Sequence, residues 1–133
     1  MPASNAIPLH NCQAVDVKHI PALKINEFRN SVIDAVESGM RIASFFAAPS
    51  NHDHLRLFAV LADDNAGSLS VLSSDVADKY PALTPDCTQA HLFEREIAEQ
   101  WSVVPEGHPW LKPVRFHPAY LAGQDAWGRK SED

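Results

Sequence analysis

No stretch of this sequence approaches the roughly 18 consecutive apolar residues that a membrane-spanning helix needs. The longest apolar runs, Leu57–Ala62 and Phe45–Ala48, have the length of strands. Cysteine is scarce, with only Cys12 and Cys87, far apart. Two such residues read as reduced thiols of a cytosolic chain rather than as a disulfide framework, and they fall short of the four or so thiolates that hold an iron–sulfur cluster. Neither a Gly-x-Gly-x-x-Gly turn nor a Walker loop occurs, which leaves nucleotide and NADH binding without support. Basic charge is also short. A formal net charge of -6 speaks against the basic face of a nucleic-acid binder. Met1–Ala6 lacks the cationic start and apolar block of a secretory signal, so the expectation is a cytoplasmic chain.

What is present suffices for one globular domain of 133 residues, 45% hydrophobic and 21% charged. Residues 1–11, with two prolines and no periodicity, read as a loose arm. Gln13–Lys18 alternates and predicts a short strand, and Pro21 then turns the chain. Ile25, Phe28, Val32, Ile33 and Val36 follow helical spacing, with Asn26 as N-cap and Gly39 as stop. Met40–Ala47 predicts a second strand. Leu55–Ala62 predicts a third, with Leu55, Leu57, Ala59 and Leu61 on one face and Phe58 and Val60 on the other, so that both faces are partly covered. After a turn at Asp63–Gly67, Leu69–Leu72 returns as a fourth strand, antiparallel to its neighbour. Pro81 and Pro85 fix an extended lead into a second helix over about Thr88–Gln100. Pro105, Pro109, Pro113 and Pro118 then break every helical register. The expected fold is an α+β two-layer domain over residues 1–120. It has a mostly antiparallel or mixed sheet of about four strands, helices on one face, and an irregular proline-rich C-terminal extension that frays over 121–133.

The densest mixture of charge, aromatics and punctuation is Thr84–Ile97, continuing to Glu106-Gly107-His108-Pro109. On a helical wheel Phe93, Ile97, Ala90 and Trp101 share the arc that faces the sheet. Glu94 borders that arc and Glu96 stands off on the other side. Arg95 points away, with Leu92 and Glu99 beside it on the outward face. Charged triplets on helices are commonly solvated faces, and an exposed Arg95–Glu99 pair at i,i+4 contributes only a few tenths of a kcal/mol. An outward Leu92 among them suggests instead a surface for a partner. A second chemistry is a thiol or metal site: Cys87 and His91 stand four apart at a helix start, where a thiolate is activated, with His108 as a further candidate. His52 and His54 flank Asp53 in a turn and could supply metal ligands, although such turns are more often polar loops. Gly107 suits an unusual φ and Pro109 fixes the backbone after His108. Trp101, Trp110 and Trp127 read as core or interface anchors.

Ala90-His91-Leu92-Phe93-Glu94-Arg95-Glu96, followed by Glu106-Gly107-His108-Pro109, Leu111 and Pro113, resembles the signature of the thirty-kilodalton subunit of respiratory complex I. The nearer resemblance is to the equivalent N-terminal domain of the large subunit in energy-converting hydrogenases of the formate hydrogenlyase and hydrogenase-4 type. There too a proline-rich lead, here Tyr80–Pro85, precedes the helix, and an exit similar to Phe116-His117-Pro118-Ala119-Tyr120 follows it. The chain differs from the family pattern at Leu92, Trp101, Ser102, Trp110 and Lys112. The resemblance implies a non-catalytic subunit or domain without cofactor, redox centre or small-molecule substrate of its own. It would dock on the large subunit of a hydrogenase or complex I, and on neighbouring peripheral-arm subunits, at the cytoplasmic face of the inner membrane. Leu92, Glu94, Arg95, Glu96, Glu99, Gly107, His108 and Pro109 would form the partner-binding set. The alternatives are a small thiol- or metal-dependent enzyme on Cys87, His91 and His108, or an adaptor for an unrelated partner.

Overall fold

The computed structural model describes residues 5–51 and 54–128. It is an α+β domain. A five-stranded sheet is built from β1 (Ile7–Leu9), β2 (Ala22–Leu23), β3 (Arg41–Pro49), β4 (Leu55–Asp63) and β5 (Ser68–Val76). The strands β3, β4 and β5 form consecutive antiparallel hairpins, as their short polar connections predict. The outer edge of β5 is shared end to end. β1 pairs antiparallel with Leu69–Val71 and β2 parallel with Ser73–Ser74. A separate parallel pair joins β6 (Lys79–Pro81) to β7 (Val104–Glu106).

The first helix, α1, spans Ile25–Glu37 and buries Phe28, Val32, Ile33 and Ala35 against the sheet. It begins one residue before Asn26, with Lys24 at the N-cap and no side-chain cap. Gly39, at φ +101°, ends it in a conformation that side chains with a Cβ rarely adopt. The second helix, α2, spans His91–Trp101 after a 3-10 turn at Thr88–Ala90. Both helices meet the same face: Phe45 of β3 touches Phe28 of α1 and Phe93 of α2.

The two-sided apolarity of Leu55–Ala62 has the expected consequence. Leu57, Ala59 and Leu61 join the main core, while Phe58 and Val60 join a second cluster on the opposite face. That second face is covered by Ile7 and Leu9 of β1 and by Val15 and Ile20 beyond it.

Further expectations are corrected. Gln13–Lys18 is not a strand, because the Asp16 carboxylate accepts from the Lys18 N–H and nucleates a 3-10 turn over Val17–His19. The supposed loose arm contains strand β1 instead. The sheet has five strands rather than four, and the proline-rich region holds β7, since Pro105 sits mid-strand where its missing N–H is tolerated on a short edge. Among the described residues no helix is long and apolar enough to cross a membrane.

Candidate functional site

Prolines on both sides of α2 leave much of its flanking segments outside regular structure, with backbone N–H and C=O groups that the β6–β7 pair does not satisfy. Buried backbone groups require partners. The charged residues of α2 supply them.

On the inner side stands Glu94, fully buried and, among the described residues, without a cationic partner. Its carboxylate accepts from the backbone N–H of Leu83 (3.1 Å) and Thr84 (2.8 Å), the Thr84 hydroxyl (2.5 Å) and the Tyr80 hydroxyl (2.8 Å). A carboxylate surrounded by donors in this way satisfies the condition for burying charge. The same loop is held from α1, where Arg29 donates Nε–H to the Ala82 carbonyl (2.9 Å) and pairs with Asp86.

On the outer side α2 grips the C-terminal segment. The Arg95 guanidinium donates to the carbonyls of Lys112 (2.8 Å) and Pro113 (3.2 Å) and lies 4.9 Å above the Trp110 ring. The Glu99 carboxylate accepts from the next two N–H groups, of Val114 (2.8 Å) and Arg115 (2.9 Å). Glu96 makes a two-point ion pair with Arg115. Gln100 accepts from Tyr120 N–H through Oε1 (2.9 Å) and from Leu121 N–H through its own carbonyl (3.0 Å). Trp101 stacks on Tyr120. Four successive residues, 112–115, are thus read by their backbone: two carbonyls by a cation, two amides by an anion.

This corrects the expectation that Arg95 and Glu99 point outward. They are 9% and 6% exposed, because the chain's own extension covers them. Leu92 alone of that face stays open, at 56%. What the segment presents in their place is apolar: Trp110, Leu111, Val114, Phe116, Tyr120 and Trp127 are all exposed, Phe116 and Tyr120 by more than 70%. Phe116 stacks on Trp127, whose indole N–H donates to the Arg115 carbonyl. Residues 121–128 therefore carry contacts of their own.

The turn at Gly107, φ +85°, places His108 against the start of α2. Its Nδ1 accepts from Trp110 N–H (3.1 Å), which assigns the proton to Nε2 for donation to the His91 carbonyl (3.1 Å). Its ring also stacks on that of His91, and His91 in turn stacks on Trp110. Pro109 leads directly into this stack. Both His108 nitrogens are committed to backbone contacts, which leaves neither for a metal or a reacting proton.

Cys87 lies in the main core, and burial pushes its thiol up from the ordinary value. A thiol in that environment stays protonated and inert. Cys12 is exposed. With a thiol reagent at neutral pH, Cys12 is expected to react within seconds to minutes and Cys87 only on unfolding; equal rates would contradict its placement. Among the described residues no three His, Cys, Asp or Glu side chains cluster as metal ligands. His52 lies outside the described residues.

Tyr80 supplies a pH test of the buried carboxylate. Burial, then the Glu94 charge, push its phenol well above the usual value of 10. The unfolded chain therefore loses this proton first. The stability tied to it is complete below pH 10 and declines as pH rises above that value towards the folded-state pKa. In alkaline titration, phenolate absorbance from Tyr80 is expected to appear together with unfolding, and Tyr80→Phe should remove that steep component.

Sequence reasoning missed Tyr80, Thr84, Gln100, Arg115, Phe116 and Tyr120 as side chains of the site, whereas it reads Trp110 and Trp127 as core or interface anchors. One available signal was the run of prolines after residue 104, which guarantees orphan backbone groups beside a charged helix. No protein-family model matches the chain, and no curated protein matches it.

Proposed function

We propose that the chain is a non-catalytic docking domain of a complex I-like or membrane-bound hydrogenase assembly, seated on the catalytic large subunit. The resemblance of residues 80–120 to the thirty-kilodalton subunit of complex I and to the corresponding domain of formate hydrogenlyase-type enzymes suggests this partner. One structural observation supports docking: α2 commits Arg95, Glu96, Glu99 and Gln100 to pinning an extended segment by its backbone. The result is a row of large apolar side chains facing outward, of the kind that marks interaction sites. In this reading Leu92 and the outer faces of Trp110, Phe116 and Tyr120 touch the partner. Glu94, Arg95, Glu96, Glu99, Gly107, His108 and Pro109 act one step behind, by shaping the surface. The chain then lies at the cytoplasmic face of the inner membrane through its partner, and brings no cofactor or substrate.

The experiment is affinity purification of the tagged chain from its native host under conditions that induce hydrogenase or complex I components. Stoichiometric recovery of a hydrogenase-like or complex I large subunit is expected. Recovery of the chain alone, with that large subunit demonstrably expressed, would sink the reading.

A further inference from the structure

One edge of the main sheet is β3, which bonds β4 on one side. Among the described residues no strand pairs with its other side. Its first part is closed by a side chain, since Ile42 N–H donates to Gln89 Oε1 (3.0 Å). The strand then shifts register between Ile42 and Ser44. From Ser44 to Pro49 it borders an open groove of about 670 Å³. All six consecutive residues line this groove. Successive side chains leave a strand on opposite faces, so a groove that touches all six follows the backbone edge. The facing wall is a stripe of α2 that includes Phe93, Ile97, Gln100 and Trp101, and Tyr120 contributes from the C-terminal segment.

Two features of the groove call for a peptide backbone. The first is the strand edge, a row of N–H and C=O groups that invites pairing unless it is blocked. The second is Gln100, which is 4% exposed. Its Oε1 is fixed as the acceptor of Tyr120 N–H, and its buried Nε2 has no acceptor among the described residues. A buried donor left unsatisfied is costly. The charge of the groove narrows the occupant further. Among the described lining residues Glu96 is the one with a charged side chain, and Arg115 neutralises it by a two-point pair.

We propose that β3 is a strand-addition site. An uncharged, extended segment of a partner protein, about six residues at roughly 3.3 Å each, lies along Ser44–Pro49. Its backbone continues the sheet and one of its carbonyls accepts from Gln100 Nε2, in the manner of known strand-addition domains. Of the outward row Tyr120 also borders this groove, whereas Trp110 and Phe116 are not among the described lining residues, and the proposal holds whichever protein supplies the segment.

The probe is a blocked heptapeptide of alternating threonine and valine, titrated into the isotope-labelled full chain and followed by amide resonances. Saturable shifts are expected over Ser44–Ala48 and at the Gln100 side-chain amide, with half-saturation near about 1 mM. Ser44→Lys places a charge at the edge and should weaken binding about tenfold or more with the thermal midpoint unchanged. A version of the peptide with two lysines should bind correspondingly less well. No shifts at several times that concentration, or shifts that Ser44→Lys leaves intact, would overturn the proposal. So would protection of the same amides by raising protein concentration alone, which would assign the edge to a second copy. Loss of large-subunit binding on altering Phe116 leaves these outcomes untouched, so the two readings fail separately.

Discussion

Glu94→Ala is expected to lower the stability of the domain by about 4 kcal/mol, since it strands several buried donors at once. The Tyr80 hydroxyl, the Leu83 and Thr84 N–H groups and the Thr84 hydroxyl all donate to this one carboxylate. Water cannot replace it without opening the loop, because Tyr80 and Leu83 are buried with it. For a chain of this size the change corresponds to a fall in Tm of roughly 15 °C. Glu94→Gln should cost less, about 1–2 kcal/mol. It keeps an acceptor for the loop amides, and the Tyr80 oxygen can accept from the new amide group. Thermal and urea unfolding of the two variants side by side make the measurement. A loss below about 1 kcal/mol for Glu94→Ala would mean that the buried carboxylate does not hold the lead to α2.

Phe116→Asp carries the largest expected effect on association. Phe116 is 73% exposed and its ring contact is with the exposed Trp127. The domain should therefore tolerate the change, with Tm within about 2 °C of the parent. If the outward row docks on the large subunit, a charge within it removes an anchor and leaves a carboxylate to desolvate. Affinity should fall by at least about 30-fold, roughly 2 kcal/mol. Titration of purified large subunit by calorimetry or biolayer interferometry reads this directly. Unchanged affinity would move the docking surface elsewhere on the molecule.

The sequence was most legible where hydrophobic period alone decides structure. The 3.6-residue spacing from Ile25 to Val36 predicts a helix and its buried face, and the apolar run Leu55–Ala62 predicts a strand covered on both faces. It was least legible where a polar side chain overrides a local pattern. The Asp16 carboxylate converts a strand-like alternation into a turn, and Pro105 sits inside a strand that its residue type argues against. The candidate site shows the same division. A helical wheel sends Phe93 and Ile97 inward, and they go there. It also sends Arg95 and Glu99 to solvent, because a wheel knows nothing of a segment arriving from residues 112–115. Their burial follows from chain topology and from the unsatisfied backbone of a proline-rich extension, neither of which has a period. The charged triplet is thus divided between two tasks: Glu94 holds the segment before the helix, and Arg95 with Glu96 holds the segment after it.

The central claim is that α2 pins residues 112–115 by their backbone and so displays the apolar row. Hydrogen exchange at the Val114 and Arg115 amides tests it most directly, because Glu99 is the acceptor for both. In the parent chain both amides should exchange slowly, protected by a factor of about 30 or more, and Glu99→Ala should abolish that protection while core amides such as that of Leu57 keep theirs. Fast exchange of Val114 and Arg115 in the parent chain, or protection that survives Glu99→Ala, would contradict the account.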